Sequence, residues 1–198
     1  MIINIVYFVL AYFLGNIMGG KLLEIIYREE FTNKGSGNVG ARNAGRVLGP
    51  KSFVFVLAVD FFKGFLVVIL LKIFNINATI IYICIILVIL GHIKPVVFKF
   101  KGGKGVATFF GCIAALSPHM FLVVILCALV IAIIVKSLTL GFYASLTLGT
   151  CINYLENPSF IILGLYILLV IILCITALDD IEEAFEKYFS AKKNKSVR

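Results

Sequence analysis

Charge is what this chain has least of. Of its 198 residues 14% are charged and 62% are hydrophobic, with a mean hydropathy of +1.11. A soluble domain carries about 25% charged residues and about 45–50% apolar ones. A fold of this size has no interior large enough for so much apolar surface. That scarcity excludes a soluble enzyme, a disordered tail and a secreted disulfide scaffold. Metal-ligand spacing is missing too. The five cysteines (Cys84, Cys112, Cys127, Cys151, Cys174) are odd in number, lie in apolar stretches and form no CxxC, so they read as small buried hydrophobes rather than a metal or disulfide framework. No basic residue precedes the first apolar run and no small-residue cleavage site follows it, so that run reads as a first membrane helix, not a cleaved signal. There is no Ser-His-Asp set, no HExxH, and no cysteine beside a histidine. Long linkers, low-complexity segments and convincing internal repeats are absent as well.

The apolar residues fall into runs at 2–20, 52–74, 78–93, 106–116, 120–135, 138–152 and 159–178. Most approach the ~20 residues that a spanning helix needs. The run 106–116 is short: eleven residues cover only about 17 Å of a hydrocarbon core about 30 Å thick. Basic residues decide how the runs are threaded. Segment 21–51, segment 94–104, Lys136 and the tail hold sixteen of the eighteen lysines and arginines. Seven crossings put all sixteen on one side, and a single crossing by 106–135 does not. The positive-inside rule therefore predicts an all-α integral membrane protein of one polytopic domain over 1–198, with seven transmembrane helices, N-terminus outside and C-terminus cytoplasmic. The short helix then requires the loop before it to dip below the membrane surface, where irregular backbone is tolerated only if protein buries it or water lines it. In the tail 179–198, Ile181, Ala184, Phe185, Tyr188 and Phe189 recur at helical spacing, a pattern that suits either a membrane surface or a solvated helix.

Two cytoplasmic loops carry the polar chemistry. The first reads Gly35-Ser36-Gly37-Asn38-Val39-Gly40-Ala41-Arg42-Asn43-Ala44-Gly45-Arg46. Its glycines free the backbone to turn and present N–H groups, Ser36, Asn38 and Asn43 add hydrogen-bonding side chains, and Arg42 and Arg46 share a face if the stretch is helical. Such a set binds phosphate. Gly35, Gly37 and Gly40 also satisfy GxGxxG, with Asp60 twenty residues beyond, but the dinucleotide fingerprint needs a strand before it, and Asp60 lies in an apolar run. The second loop runs Gly91-His92-Ile93-Lys94-Pro95 and then Lys101-Gly102-Gly103-Lys104-Gly105-Val106. It feeds a glycine-rich turn into the short helix, whose positive end favours an anion. Gly105 stands where a P-loop needs Ser or Thr, so a nucleoside triphosphatase is not expected. His92 is a candidate base or anion ligand. Asp60 and Lys63, three apart in an apolar run, are placed to pair.

At these residues the chain resembles the acyl-phosphate-dependent glycerol-3-phosphate acyltransferases, the PlsY family of bacterial inner-membrane proteins. The stretches that carry the resemblance are GSGNVGARNAGRVLG (35–49), VDFFKG (59–64) and GHIKPVVFKFKGGKGVAT (91–108), within a similarity covering about residues 5–110. The resemblance implies transfer of a fatty acyl group from acyl phosphate to the 1-hydroxyl of glycerol 3-phosphate, giving lysophosphatidic acid and phosphate, with no cofactor, no metal and no nucleic-acid partner. It implies catalytic roles for Ser36, Arg46, His92 and Lys104. It implies phosphate binding by Ser36, Gly37, Asn38, Arg46, Gly102, Gly103, Lys104, Gly105 and Thr139, with Asn43, Asp60, Lys63 and Asp180 in support. The chain departs from the family pattern in places. Thr139 stands for a serine, Arg42 for a threonine, and at the end of the last run Ala177 and Asp180 replace the His and Asn of HRxNI. A carboxylate at 180 would repel a phosphate unless a lysine or a proton offsets it. A non-catalytic or altered-acceptor lipid- or phosphate-binding relative is therefore the alternative. A transporter for a phosphorylated solute is a third reading, which the missing repeat disfavours.

Overall fold

The computed structural model describes residues 2–196, with side chains through Ser190; the side chains of Lys192, Lys193 and Lys195, and Arg198 altogether, lie outside the described residues. Helices account for all regular structure among the described residues, in two compact units, one ending at Leu116 and the other starting at Ser117. The first unit contains α1 (Ile2–Gly15), α2 (Gly19–Tyr27), α3 (Ala41–Leu48), α4 (Pro50–Ile73), α5 (Ala78–Ile93) and α6 (Val106–Leu116). The second contains α7 (Pro118–Val135), α8 (Leu138–Glu156), α9 (Phe160–Ile175) and α10 (Leu178–Ser196).

Local signals explain the boundaries. Pro50 and Pro118 open α4 and α7 at positions where no amide donor is missed. Asn77, Ser117 and Ser137 cap α5, α7 and α8 by accepting from the amides of Thr79, Met120 and Leu140. Arg28 and Lys136 end α2 and α7 in the left-handed conformation.

Among the described residues, three helices can cross a membrane by length and composition, and up to five segments can if the bent pairs α1–α2 (45°) and α9–α10 (68°) each count as one span. Two features of the segment that follows the first run were not anticipated. The first run does not continue to residue 20 but stops at Gly15, and α2 starts at Gly19 in a new direction; α3 then forms inside the glycine-rich loop. Close packing requires glycine where α2 begins. A Cβ on Gly19 would lie 2.8 Å from Val56 Cα, and one on Gly20 would lie 2.0 Å from the Val39 carbonyl oxygen.

The first unit is organised around the middle of α4. With 24 residues, α4 is about 36 Å long. The helix α6 has 11 residues and runs beside only its second half: Gly64 packs on Thr108, Gly111 packs on the Phe61 carbonyl, and the Lys72 ammonium donates to the carbonyls of Ala115 and Leu116 at 3.1 Å each. The start of α6 therefore lies at mid-height on α4. The α1–α2 break lies at the same height, since Gly15, Ile17 and Gly19 all bond to Asp60 or Lys63.

Candidate active site

The second loop is seated on the end of α5. The Gly103 amide donates to the His92 carbonyl at 3.1 Å. A Cβ on Gly102 would lie 2.1 Å from that carbonyl oxygen, and a Cβ on Gly103 would lie 2.3 Å from His92 Nε2. Only glycine permits this approach. From there Gly105 turns with φ +80°, and α6 begins at Val106. Lys104 is thereby carried, half-buried, to the N-terminal end of α6. Helical geometry gives the first-turn amides no acceptor within the helix, and the dipole there favours an anion. Further along, the Val97 amide donates to Asn16 Oδ1 at 3.3 Å, and the Tyr12 hydroxyl donates to the Lys94 carbonyl at 2.7 Å. These two bonds tie the loop to α1 and to the break after it.

The first loop is built around Asn43, which is 1% exposed. Its Oδ1 accepts from the Ser36 amide at 2.8 Å, and its Nδ2 donates to the Lys34 carbonyl at 3.1 Å. One buried amide side chain thus fixes residues 34–36 around Gly35, which takes positive φ, as does Gly37 just beyond. Asn38 Oδ1 accepts from the Gly40 amide at 3.0 Å and closes the turn into α3. Ser36 is exposed at its tip. Because α3 is helical, Arg42 and Arg46 share a face; both are exposed and, with Gly45 and Phe53, line an open hollow.

The two loops are connected. The carboxylate of Glu24 accepts from the Thr32 amide at 3.1 Å, the Thr32 hydroxyl at 2.7 Å and the Lys21 ammonium at 2.6 Å. Lys21 lies 5.9 Å above the ring of Phe98 in the second loop. Sequence reading did not pick out Lys21 or Glu24. Their spacing of three on a helix was a visible signal, but α2 itself was not expected.

Beneath the loops lies a buried polar cluster. Asp60, Lys63 and His92 are 2%, 6% and 3% exposed. Asp60 Oδ1 accepts from the Gly19 amide at 3.2 Å and from Lys63 Nζ at 3.1 Å. Lys63 Nζ also donates to the carbonyls of Gly15 and Ile17, at 3.0 and 2.5 Å, and lies 2.7 Å from His92 Nδ1. Thus the expected Asp60–Lys63 pair forms, and the carboxylate caps the start of α2 while the ammonium caps the end of α1, each at the helix end its charge complements.

Thr139 and Asp180 belong to the second unit. Thr139 is in the first turn of α8, whose cap is Ser137. Asp180 is in the first turn of α10 beside Asp179, where a carboxylate suits the helix dipole. Among the cysteines, Cys84 and Cys112 are buried as expected, but Cys151 is exposed on α8, an apolar helix face rather than a core.

The sequence model of one family, described as glycerol-3-phosphate acyltransferase, matches residues 5–187. This chain belongs to the glycerol-3-phosphate acyltransferase family. Members similar to it include the glycerol-3-phosphate acyltransferases of Finegoldia magna (38% identical over 135 residues, 67% of each chain), Aquifex aeolicus (44% over 115 residues, 58% of this chain and 60% of that one) and Anaplasma marginale (34% over 172 residues, 86% of each). The match to the Aquifex aeolicus protein thus spans less than two thirds of that relative's length. Across the family fold the likeness is wider. The crystal structure of PlsY, an integral membrane glycerol 3-phosphate acyltransferase, in its glycerol 3-phosphate form superimposes with a TM-score of 0.85 at 30% identity, covering 93% of both chains; its lysophosphatidic acid form gives 0.83. The chain is accordingly an all-α integral membrane protein and an acyltransferase.

Proposed function

We propose that this protein transfers a fatty acyl group from acyl phosphate to the 1-hydroxyl of glycerol 3-phosphate, forming lysophosphatidic acid and phosphate for phospholipid synthesis. The observation that carries the reading is the seat of the second loop: glycine backbone pressed onto His92 delivers Lys104 and the start of α6 together, at mid-height on α4, while α2 links this loop through Lys21 and Phe98 to the segment that leads into the first loop through Glu24 and Thr32. One relative was solved with glycerol 3-phosphate and with lysophosphatidic acid, ligands that need such an anion cradle.

In the proposed reaction the glycerol hydroxyl attacks the acyl carbonyl. The carbon–oxygen bond to phosphate breaks, and phosphate leaves with that electron pair. Lys104, Arg46 and the first-turn amides of α6 neutralise the leaving group. Ser36, Asn38, Gly102 and Gly105 hold phosphate oxygens; the Gly37 and Gly103 amides, expected to do so as well, instead donate to the Lys34 and His92 carbonyls and shape the turns; a substrate phosphate oxygen takes the hydroxyl proton. The work is positioning and charge stabilisation, with no acyl-enzyme and no cofactor. We read the chain as one polytopic domain of the bacterial cytoplasmic membrane, crossing it seven times, N-terminus outside, with the loops facing the cytoplasm. Thr139 and Asp180 keep their proposed binding and supporting roles, although Asp180 favours a second reading in which the acceptor is a relative of glycerol 3-phosphate.

Purified protein given acyl phosphate and glycerol 3-phosphate is expected to release inorganic phosphate and form lysophosphatidic acid. Release no faster than that of Lys104→Ala overturns the transferase reading. Release with another phosphorylated polyol but not with glycerol 3-phosphate selects the second reading.

A further inference from the structure

The cluster under the loops does more than close the α1–α2 break. Capping the break accounts for Asp60 and for three contacts of Lys63, those to the Gly15 and Ile17 carbonyls and to Asp60. It does not account for the fourth, to His92 on α5. Distance and donor type settle how that contact is made. An ammonium has three hydrogens and no lone pair, so its four neighbours share three hydrogens, and His92 Nδ1 at 2.7 Å is nearer than the Gly15 carbonyl at 3.0 Å or Asp60 Oδ1 at 3.1 Å. The other neighbours of Lys63 Nζ, the Gly15 and Ile17 carbonyls and Asp60 Oδ1, accept only. At 2.7 Å from such a donor, Nδ1 of His92 must offer its lone pair, because an N–H there would set donor against donor. Asp60 is no alternative partner for Nδ1, since the separation is 3.6 Å, beyond hydrogen-bond reach. The ring proton is then on Nε2, the nitrogen against Gly103.

Resting on the acyl-transfer reading, we propose that Lys63 is a positioning residue: by donating to Nδ1 it fixes the His92 ring with its proton on Nε2, facing the glycine backbone that carries Lys104. The same bond stops the ring from rotating, so the seat of Gly102 and Gly103 stays in register with the start of α6. Lys63 itself touches no substrate. Through it, the break in the first span, the middle of α4 and the anion loop form one hydrogen-bonded unit.

The test uses the full-length protein in lipid nanodiscs, labelled with 15N-histidine. There are two histidines, and His119→Gln, on the exposed surface, leaves the His92 signals alone. Wild type is expected to show an unprotonated Nδ1 and a protonated Nε2. Lys63→Met is expected to lose that pattern and, at saturating substrates, to lose turnover by at least about tenfold, as for a weakened stabilising donor, with KM changed much less. Lys63→Arg, which keeps a donor, is expected to restore part of both and guards against a Met variant that fails to fold. A wild-type ring protonated on Nδ1, or an Nε2–H ring that persists in Lys63→Met, overturns the proposal; so does full turnover by Lys63→Met. Absence of turnover in wild type overturns the acyl-transfer reading instead, while the NMR comparison still decides the position of the proton.

Discussion

At the scale of single residues, contact distance rather than chemistry decides the most sensitive positions. Gly103→Ala would put a methyl group 2.3 Å from His92 Nε2, so the loop must lift or the ring must move. The expected result is a loss of about 1–3 kcal/mol in stability, as for other overpacked sites, and loss of turnover. Thermal unfolding in detergent and phosphate release measure the two separately. Asn43→Ala is expected to cost about 1–3 kcal/mol by leaving the Ser36 amide and the Lys34 carbonyl without their buried partner. Asn43→Asp keeps the acceptor and loses the donor, so it should fall between Ala and wild type in an unfolding series. At this scale the Asp60–Lys63 spacing declared a pair that the structure forms, and the glycines with Arg42, Arg46 and Lys104 are the sequence signal on which the proposed anion site rests. The partners of that pair were not legible, because Gly15, Ile17, Gly19 and His92 lie 29 to 48 positions from Lys63 or 41 from Asp60, and no local pattern encodes a separation like that.

Among elements, the same physics appears as close helix crossing. Gly64 and Gly111 bring α4 and α6 together, and Gly15 and Gly91 do so for α1 and α5, where a Cβ on Gly91 would lie 2.1 Å from the Tyr12 carbonyl oxygen. Helices in lipid associate through such small residues because apolar burial gives them no net drive. Gly111→Leu is expected to force α6 off α4 and reduce turnover while the protein still enters the membrane. Cross-linking between cysteines placed on α4 and α6 would report the separation, with unchanged cross-linking counting against it. The long apolar runs announced their helices, since lipid demands an unbroken run of apolar side chains. The helices α2 and α3 did not announce themselves. Each is short and amphipathic, set among glycines that read as turn formers, and each is stabilised by packing on α4 rather than by its own propensity.

For the molecule as a whole, the short α6 and the expected seven crossings stand or fall together. Single cysteines at positions 99 and 136, in a background lacking the native five, are expected to react with an impermeant reagent only from the cytoplasmic face, and one at 157 only from the outer face. Labelling of 99 and 136 from opposite faces would leave six crossings at most. One structural detail also bears on how the protein is made. Lys63 is near the centre of α4, where the insertion scale charges about 2.5–3.5 kcal/mol for a lone lysine, and its acceptors belong to α1 and α5 as well as to its own helix. Before α1 and α5 arrive, Lys63 has only Asp60 of its own helix as a partner. Full settling of α4 is therefore expected to wait on its meeting with α1 and α5, which couples the assembly of the first 116 residues to the contacts of one lysine.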